Sequence, residues 1–306
     1  MSDPLSDPFE ALLRPATAAD PDPAFAARLR ARLERELLRP RERTQRTHDR
    51  RGTIMPSTST STSTSTATPT ALRQGDVGFV SLRVPDAGRA AAFYQAVLGW
   101  RYEPGGDPRG RLVEGLTLPH GIWSQEGART LWACHLVDDV RAAAERVRAA
   151  GGRAEEPVQE PYGLVSACVD DQGLEFSLYE LPGASAETGS TAQGEVVYLT
   201  IEVRDVDRAR AFYGSVLGWK FAPGNVEHGW RVRAGDAEVR PMTGLWGGRD
   251  RAAVVPMYAV DDIDAAVARV RAAGGTSTDP ERQPYGITAE CADDQGVRFY
   301  LGRIPG

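Results

Sequence analysis

The chain has 306 residues, enough for two domains of ordinary size, and its formal charge of −6 argues against nucleic acid as the main partner. No apolar run approaches the ~18 residues of a membrane-spanning helix, and the N-terminus lacks the basic and apolar regions of a secretory signal, so we expect no membrane partner and a cytoplasmic protein. The three cysteines, Cys134, Cys168 and Cys291, form no disulfide framework, and Cys168 and Cys291 are expected to be small buried side chains.

The first 70 residues are predicted to be an extension outside the folded domains. A helix is predicted over about residues 23–39, because Asp22 suits an N-cap and Pro23 suits the first helical position. Its apolar residues recur every four positions, and Pro40 ends it. A linker over 56–70 follows, in which serine and threonine alternate. It has no apolar content to bury and is predicted to be disordered.

The next segment predicts a succession of strands and helices. Apolar residues alternate through 79–84, which indicates a strand with one apolar face. Asp86 is predicted to cap a helix that ends at Gly99, and Asp139 to cap a second helix over 140–150. Further strands are predicted over 112–118, 121–124, 131–137, 164–169 and 174–181. The unit is therefore α+β, with the order β-α-β-β-β followed by β-α-β-β-β.

The same unit occurs twice in the chain. Residues 161–183 and 284–306 are identical at 12 of 23 paired positions, and the segment that starts at Gly75 returns at Gly194. The second unit repeats the order of elements, with Asp262 as the cap of its second helix. We predict domains over 71–183 and 194–306, joined by a polar linker over 184–193.

Three motifs recur in both units. They are Phe-Tyr…Val-Leu-Gly-Trp in the first helix, Val-Asp-Asp before the second helix, and Asp-Asp-Gln-Gly-x-x-Phe in the closing turn. This order resembles the vicinal oxygen chelate superfamily, which includes glyoxalase I, bleomycin-resistance proteins and extradiol dioxygenases, and it looks most like tandem glyoxalase-like proteins of actinobacteria. The resemblance implies two tandem domains, each a pair of β-α-β-β-β modules curled around a cup, which pair as an intramolecular pseudo-dimer. It implies no single reaction, because the superfamily includes several chemistries and pure binding.

The resemblance also bears on metal binding. Metal-using members place a histidine seven residues before the aspartate that caps each helix, and usually a glutamate four residues after the closing-turn glycine. In this sequence those positions hold Phe79, Trp132 and Ser177 in the first unit and Tyr198, Val255 and Tyr300 in the second. Divalent metals need several convergent histidine or carboxylate ligands, so we expect no metal and no other cofactor.

Strand alternation assigns a set of side chains to the inside of each cup. Such an aromatic pocket with few charges suits a flat or hydrophobic small molecule. Alternatively, the aromatic side chains fill the cups or form the contact between the units. Ser177 is expected to leave room in the first cup, whereas Tyr198 and Tyr300 partly fill the second. The predicted ligand-binding residues are Phe79, Ser81, Arg83, Trp123, Trp132, Tyr162, Ser177, Tyr198, Trp230, Met257, Tyr285 and Tyr300.

Several functions remain open on the sequence alone. The first is a metal-independent protein that binds a hydrophobic or aromatic small molecule, in natural-product resistance or biosynthesis. The second is a metal-free acid–base enzyme, such as a cyclase, isomerase or lyase, with Glu175 and Tyr179, or Glu202 and Tyr198, as the acid–base groups. Lesser alternatives are a metalloenzyme of the lactoylglutathione-lyase or dioxygenase type and a scaffold that uses the N-terminal helix.

Overall fold

The computed structural model describes residues 70–103, 108–160, 163–180, 185–186 and 190–304. The predicted N-terminal helix and nearly all of the Ser-Thr linker lie outside these residues. The helices described are α1 (Ala87–Leu98), α2 (Val140–Ala149), α3 (Val206–Leu217) and α4 (Ile263–Ala272). None of these described helices has the length and apolar character that a membrane crossing requires.

The strands fall into two successive groups along the chain. The first group is β1 (Thr70–Ala71), β2 (Val77–Val84), β3 (Gly110–Leu112), β4 (His120–Ser124), β5 (Thr130–Leu136), β6 (Arg153–Ala154), β7 (Val158–Glu160), β8 (Gly163–Val169), β9 (Glu175–Glu180) and β10 (Ser185–Ala186). The second group is β11 (Val196–Glu202), β12 (Trp219–Pro223), β13 (Gly229–Ala234), β14 (Ala237–Glu238), β15 (Met242–Trp246), β16 (Ala253–Ala259), β17 (Thr276–Ser277), β18 (Glu281–Gln283), β19 (Gly286–Ala292) and β20 (Arg298–Arg303).

An aspartate begins each of the four described helices. Its carboxylate accepts hydrogen bonds from backbone N–H groups of the first turn, which have no partner within the helix. The four residues are Asp86, Asp139, Asp205 and Asp262. Helix α1 ends at Gly99, which has a left-handed φ of 77°. The helix boundaries predicted from these residues are therefore confirmed.

Each unit forms a sheet of its own. The first sheet has the order β3-β4-β2-β5-β9-β8-β6, with β7 beside β8. The second has the order β12-β13-β15-β11-β16-β20-β19-β17, with β14 beside β13 and β18 beside β19. The units differ at one edge, where the pair Tyr102↔Val113 stands in the first unit in place of a longer ladder such as β12–β13. A short ladder that the sequence did not predict, β1 with β10, ties the linker to the start of the first unit.

The two faces of each sheet separate as the alternation predicts. In β2, Val80, Leu82 and Val84 belong to the core on the helix side, whereas Phe79 belongs to a separate cluster on the opposite face. Helix α1 packs on β2, β3 and β4, and α2 packs on β6, β8 and β9. We call the face opposite the helices the cup. Side chains on this face are the ones that a ligand in the cup would meet.

The core is continuous between the two units. Helix α1 packs against α4 and α2 against α3, and their buried side chains belong to one cluster. The indole of Trp100 donates to the carbonyl of Gly194 at 3.1 Å, and that of Trp219 donates to Gly75 at 3.1 Å. Both glycines have a positive φ, and a Cβ at Gly75 would lie 2.5 Å from Nε1 of Trp219. The repeated Gly and Trp therefore join each unit to the other.

The Asp-Asp-Gln-Gly turn of each unit holds the first helix of the other. The side chain of Gln172 donates to the carbonyl of Asp205 and accepts from its N–H, both at 2.8 Å. Gln295 makes the same two bonds with Asp86, at 2.9 and 2.8 Å. We call each such pair of bonds a glutamine clamp. Because the bonded residues are the helix N-caps, each clamp fixes a helix N-terminus of the partner unit.

Ion pairs accompany both clamps. Arg208 of α3 lies 3.0 Å from the carboxylate of Asp171, and Arg89 of α1 lies 2.8 Å from that of Asp294. Both arginines are more than half exposed, so these ion pairs contribute little to stability by themselves. They repeat the same cross-unit arrangement as the glutamines.

Candidate functional site

In the first unit, the three positions that the resemblance relates to metal ligands lie close together in the cup. They are Phe79, Trp132 and Ser177. The rings of Phe79 and Trp132 lie 6.2 Å apart, edge to face. Cys134 pairs in register with Phe79 on one side and Ser177 on the other. Among the described residues there is no group of three or more His, Cys, Asp and Glu that could hold a metal ion. The side chains at positions 79, 132 and 177 therefore offer no imidazole or carboxylate to a metal ion.

The first cup is filled by its own side chains. Cys134, Leu136 and Tyr179 form a buried cluster, and Leu72 packs on it from the segment before β2. Ser177 is only 2% exposed, so the room expected beside it does not exist. The expectation was wrong because Ser177 is covered in a sheet face whose neighbouring side chains, Tyr179 among them, pack as one cluster.

Tyr179 is poorly placed for the acid–base role considered for it. Its side chain is 5% exposed, and burial raises the pKa of its phenol far above the usual range. A Cβ at Gly78 would overlap its hydroxyl, so the glycine makes space for it. Glu175 begins the same strand and is exposed, about 13 Å away at the usual strand rise.

The second cup is lined differently from the first. Gly302 stands where the first unit has Tyr179, and a Cβ there would lie 2.7 Å from the sulfur of Met257. A cavity of about 360 Å³ lies in this unit, lined in part by Val255, Glu290 and Tyr300. Tyr300 donates to Glu290 at 3.4 Å, and burial raises its pKa to about 12. Tyr300 therefore borders a space rather than filling the cup.

A larger cleft lies between the two units. Its volume is about 760 Å³, and strands β5 and β16 lie against each other beside it. The first unit contributes Arg83, Trp132, Glu175 and the loop over 125–130. The second contributes Glu202, Val255, Arg298 and the loop over 248–253. The structure thus brings together candidates from both units that the sequence had assigned to separate cups.

On the first-unit side of the cleft, an arginine forms an ion pair and also lies over an aromatic ring. Arg83 contacts Glu175 at 2.6 Å, and its guanidinium lies 4.9 Å from the ring centroid of Trp132. Burial lowers the pKa of Arg83, although Glu175 opposes this effect, and an arginine remains charged at neutral pH. The flat guanidinium and the indole together form a stacking surface.

The second-unit side carries a carboxylate between two arginines. Arg298 binds Glu202 through both nitrogens, at 2.7 and 2.8 Å, and Arg249 lies 3.5 Å from the same carboxylate. The hydrogen bonds that Arg298 donates to Glu202 raise the pKa of Arg298. The Arg249 guanidinium also lies 4.4 Å from the ring centroid of Trp246. Both Glu175 and Glu202 are therefore held in ion pairs with arginine.

Other predicted ligand residues lie away from the cleft. Ser81 and Met257 are each 7% exposed. Trp123 and Trp230 lie under arginine guanidinium groups, at 5.1 and 3.5 Å from the ring centroids. None of these four is among the described residues that line the cleft.

The repeated Pro-Tyr-Gly tyrosines and Tyr198 also lie outside the cleft or outside the described residues. The pKa of Tyr198 is raised to about 12, mainly by burial and to a smaller extent by the nearby Tyr285. Tyr285 is 50% exposed, and partial burial raises its pKa. Tyr162 falls outside the described residues.

Several charged residues that line the cleft were not among the sequence candidates. Glu126, Arg249 and Arg298 all line it. The sequence does contain a signal for them. When the two units are aligned, Glu126 corresponds to Arg249 and Glu175 to Arg298, so the charge changes sign at these positions. Assigning side chains to the two faces of a strand could not reveal that the two sheets lie next to each other at the cleft.

The comparisons with known proteins agree with this architecture. A model of the glyoxalase-like domain matches residues 79–179 and 198–302. The chain is 30% identical over 255 residues to CFP32, a candidate glyoxylase of Mycobacterium tuberculosis, with 74% of this chain and 94% of that protein covered. It is 25% identical over 262 residues to the anthracycline biosynthesis protein DauV of a Streptomyces strain, with 75% and 94% covered.

Solved structures share the fold at lower identity. A Mn(II)-bound glyoxalase from Novosphingobium aromaticivorans matches with a TM-score of 0.59 and 18% identity, over 76% of this chain and 82% of that chain. A catechol 2,3-dioxygenase matches with a TM-score of 0.56 and 16% identity, over 76% and 90%. At these identities the likeness concerns the fold alone.

Proposed function

Because the chain belongs to the glyoxalase-like domain family, we propose that it is a metal-independent member that binds a flat aromatic or hydrophobic small molecule between its two units. The observation that carries the proposal is the cleft of about 760 Å³ into which Arg83 and Trp132 present a stacked pair. Its volume is within the usual range for small-molecule sites. A planar ligand would extend this stack and remove aromatic surface from water.

The aromatic side chains at the former ligand positions support metal independence. Phe79, Trp132 and Ser177 provide no imidazole or carboxylate. The relative named for anthracycline biosynthesis supports a role with aromatic natural products. We therefore place the function in natural-product biosynthesis or resistance.

An acid–base enzyme is the second candidate, and the ion pairs argue against it. Glu175 would have to leave Arg83, and Glu202 would have to leave Arg298 and Arg249, before either could take a proton from a substrate. Tyr179 is buried in the first cup. Binding requires none of these changes, so we favour binding.

Replacing Trp132 with alanine should weaken the binding of a planar aromatic probe by about 5- to 100-fold, the scale of one buried aromatic contact. We would use anthraquinone-2-carboxamide and measure its dissociation constant by equilibrium dialysis. The control is Trp230→Ala, because Trp230 lies under the Arg210 guanidinium at 3.5 Å and does not line the cleft. Unchanged affinity in the Trp132 variant, or an equal loss in the control, would contradict the proposed site.

The purified protein should carry no stoichiometric divalent metal, and a chelator should leave probe binding unchanged. The reason is the side-chain set at positions 79, 132 and 177, which lacks metal ligands. Elemental analysis together with dialysis against a chelator tests this. About one tightly held metal per unit, with binding lost on its removal, would show that metal independence is wrong.

A further inference from the structure

The charges at the cleft reverse their sign between the two units. Arg83 ends the cup face of β2 and pairs in register with Trp123 of the neighbouring strand. At the matching position of the second unit, Glu202 pairs in register with Trp246. The two residues are therefore structurally equivalent, and one is a cation where the other is an anion.

Two further pairs of equivalent positions show the same reversal. Glu175 begins β9 in the first unit, and Arg298 begins β20 in the second. Glu126 lies three residues after Trp123, and Arg249 lies three residues after Trp246. All four charged residues line the cleft. The first unit thus contributes one arginine and two glutamates, where the second contributes one glutamate and two arginines.

The exposure of each side chain indicates which charge of each ion pair is more accessible to a ligand in the cleft. In the first unit, the Arg83 side chain is 23% exposed and that of Glu175 is 54% exposed. In the second unit, the Glu202 side chain is 2% exposed and that of Arg298 is 44% exposed. A ligand would therefore meet a carboxylate on the first-unit side and guanidinium groups on the second-unit side.

The remaining charged residues of the lining do not cancel this difference. Asp250 and Arg251 lie together on the second-unit side and have opposite signs. Arg129 of the first unit donates to the carbonyl of Gln295 at 2.7 Å, which directs its guanidinium to the turn of the second unit. Glu202 can neutralise only one of its two arginine neighbours. One positive charge therefore remains in excess beside the second unit.

We propose that the ligand of the cleft is an aromatic acid whose anionic group binds Arg249 and Arg298 while its ring system lies at Trp132. This inference rests on the proposed function and names the ligand class for the same site. Guanidinium groups bind carboxylates through paired, charge-assisted hydrogen bonds, and Arg298 already holds Glu202 in that way. The carboxylates of the first unit would repel an acid placed in the opposite direction, so the ligand has one orientation.

Two probes of matched shape test the charge preference. Wild-type protein should bind anthraquinone-2-carboxylate at least about tenfold more tightly than the uncharged anthraquinone-2-carboxamide, the scale of a charge-assisted hydrogen bond. The preference should shrink as sodium chloride is raised, because salt screens charges at a partly exposed site. Equal dissociation constants, or tighter binding of the carboxamide, would overturn the inference.

Two changes in the second unit locate the preference. Arg249→Gln removes one guanidinium and leaves the Glu202–Arg298 pair, and should reduce the preference for the carboxylate to less than about threefold. The double variant Glu202→Arg with Arg298→Glu keeps an ion pair but exchanges its two charges. The arginine then stands at the position equivalent to Arg83 and the glutamate at that equivalent to Glu175, as in the first unit. The double variant should abolish the preference for the carboxylate probe. The control is Arg101→Gln, because the Arg101 side chain is 83% exposed and does not line the cleft.

The outcomes separate the inference from the proposed function. If both probes bind with equal affinity and Arg249→Gln changes neither, the aromatic-acid assignment is wrong while the binding site at Trp132 stands. If neither probe binds wild-type protein, the proposed function fails together with the inference. Thermal melting of each variant shows that a lost preference does not come from unfolding.

Discussion

Replacing both Gln172 and Gln295 with alanine should lower the free energy of unfolding by about 4 kcal/mol. Each side chain makes two hydrogen bonds to the backbone of an N-cap residue in the other unit. A typical hydrogen bond contributes about 1 kcal/mol to the free energy of unfolding, and the two clamps contain four. The two clamps share no residue, so their effects should add.

Urea unfolding of the single and double variants measures this effect. Gln159→Ala is the control, because the Gln159 amide is exposed and donates to the carbonyl of its neighbour Glu160, within its own unit. It should change the free energy of unfolding by less than about 0.5 kcal/mol. If the double variant loses no more than the control, the clamps do not hold the units together.

Replacing His135 with tyrosine should remove an acid-dependent loss of stability worth about 3 kcal/mol. His135 is 3% exposed and packs against Phe176 and Trp219, with ring centroids 6.0 and 5.3 Å away. Burial lowers its pKa from 6.5 to about 4, against a smaller opposite effect of the Gly75 backbone. Tyrosine is the chosen replacement because Tyr258 occupies the equivalent position in the second unit.

Stability falls with falling pH because the unfolded state binds the proton more readily than the folded state. The unfolded chain takes up a proton at His135 near pH 6.5, whereas the folded chain does so only near pH 4. The stability that the neutral histidine contributes is therefore complete above about pH 6.5 and is lost as the pH falls towards 4. A difference of about 2.5 pKa units corresponds to about 3 kcal/mol.

Denaturant unfolding at pH 7 and pH 4.5 compares wild-type protein with the variant. Burial raises the pKa of Asp76, Asp170 and Asp293, which acts in the opposite direction, but both proteins share this effect. The control is His228→Asn, because His228 is exposed and its φ of 57° suits asparagine. Parallel losses in all three proteins between the two pH values would contradict the role of His135.

Elements with strong local signals could be predicted from the sequence. The strand β2 follows from alternating apolar residues, and α1 follows from Asp86 at its start and Gly99 at its end. These signals are local because capping and strand alternation depend on neighbouring residues alone. The repeat then extended the same assignments to the second unit.

Features that depend on distant residues were missed. Gln172 was recognised as part of a turn, but its bonds to Asp205 depend on how the units pack. Ser177 is small and was expected to leave room, but it is 2% exposed, because burial depends on the neighbouring side chains and not on the residue's own size. His120 begins β4, is fully buried and lies 3.0 Å from the Tyr258 hydroxyl of the other unit, a contact that the sequence of one unit alone does not reveal.

The opposite charges on the two sides of the cleft have a consequence for how such a protein can arise. Two identical chains related by a two-fold axis would place the same charges on both sides, and the electric dipole across the axis would cancel. Two copies of the first unit would bring Glu126 and Glu175 to both sides of the cleft, and two copies of the second would bring Arg249 and Arg298. Joining duplicated halves in one polypeptide removes that constraint, since each half can then change its charges independently.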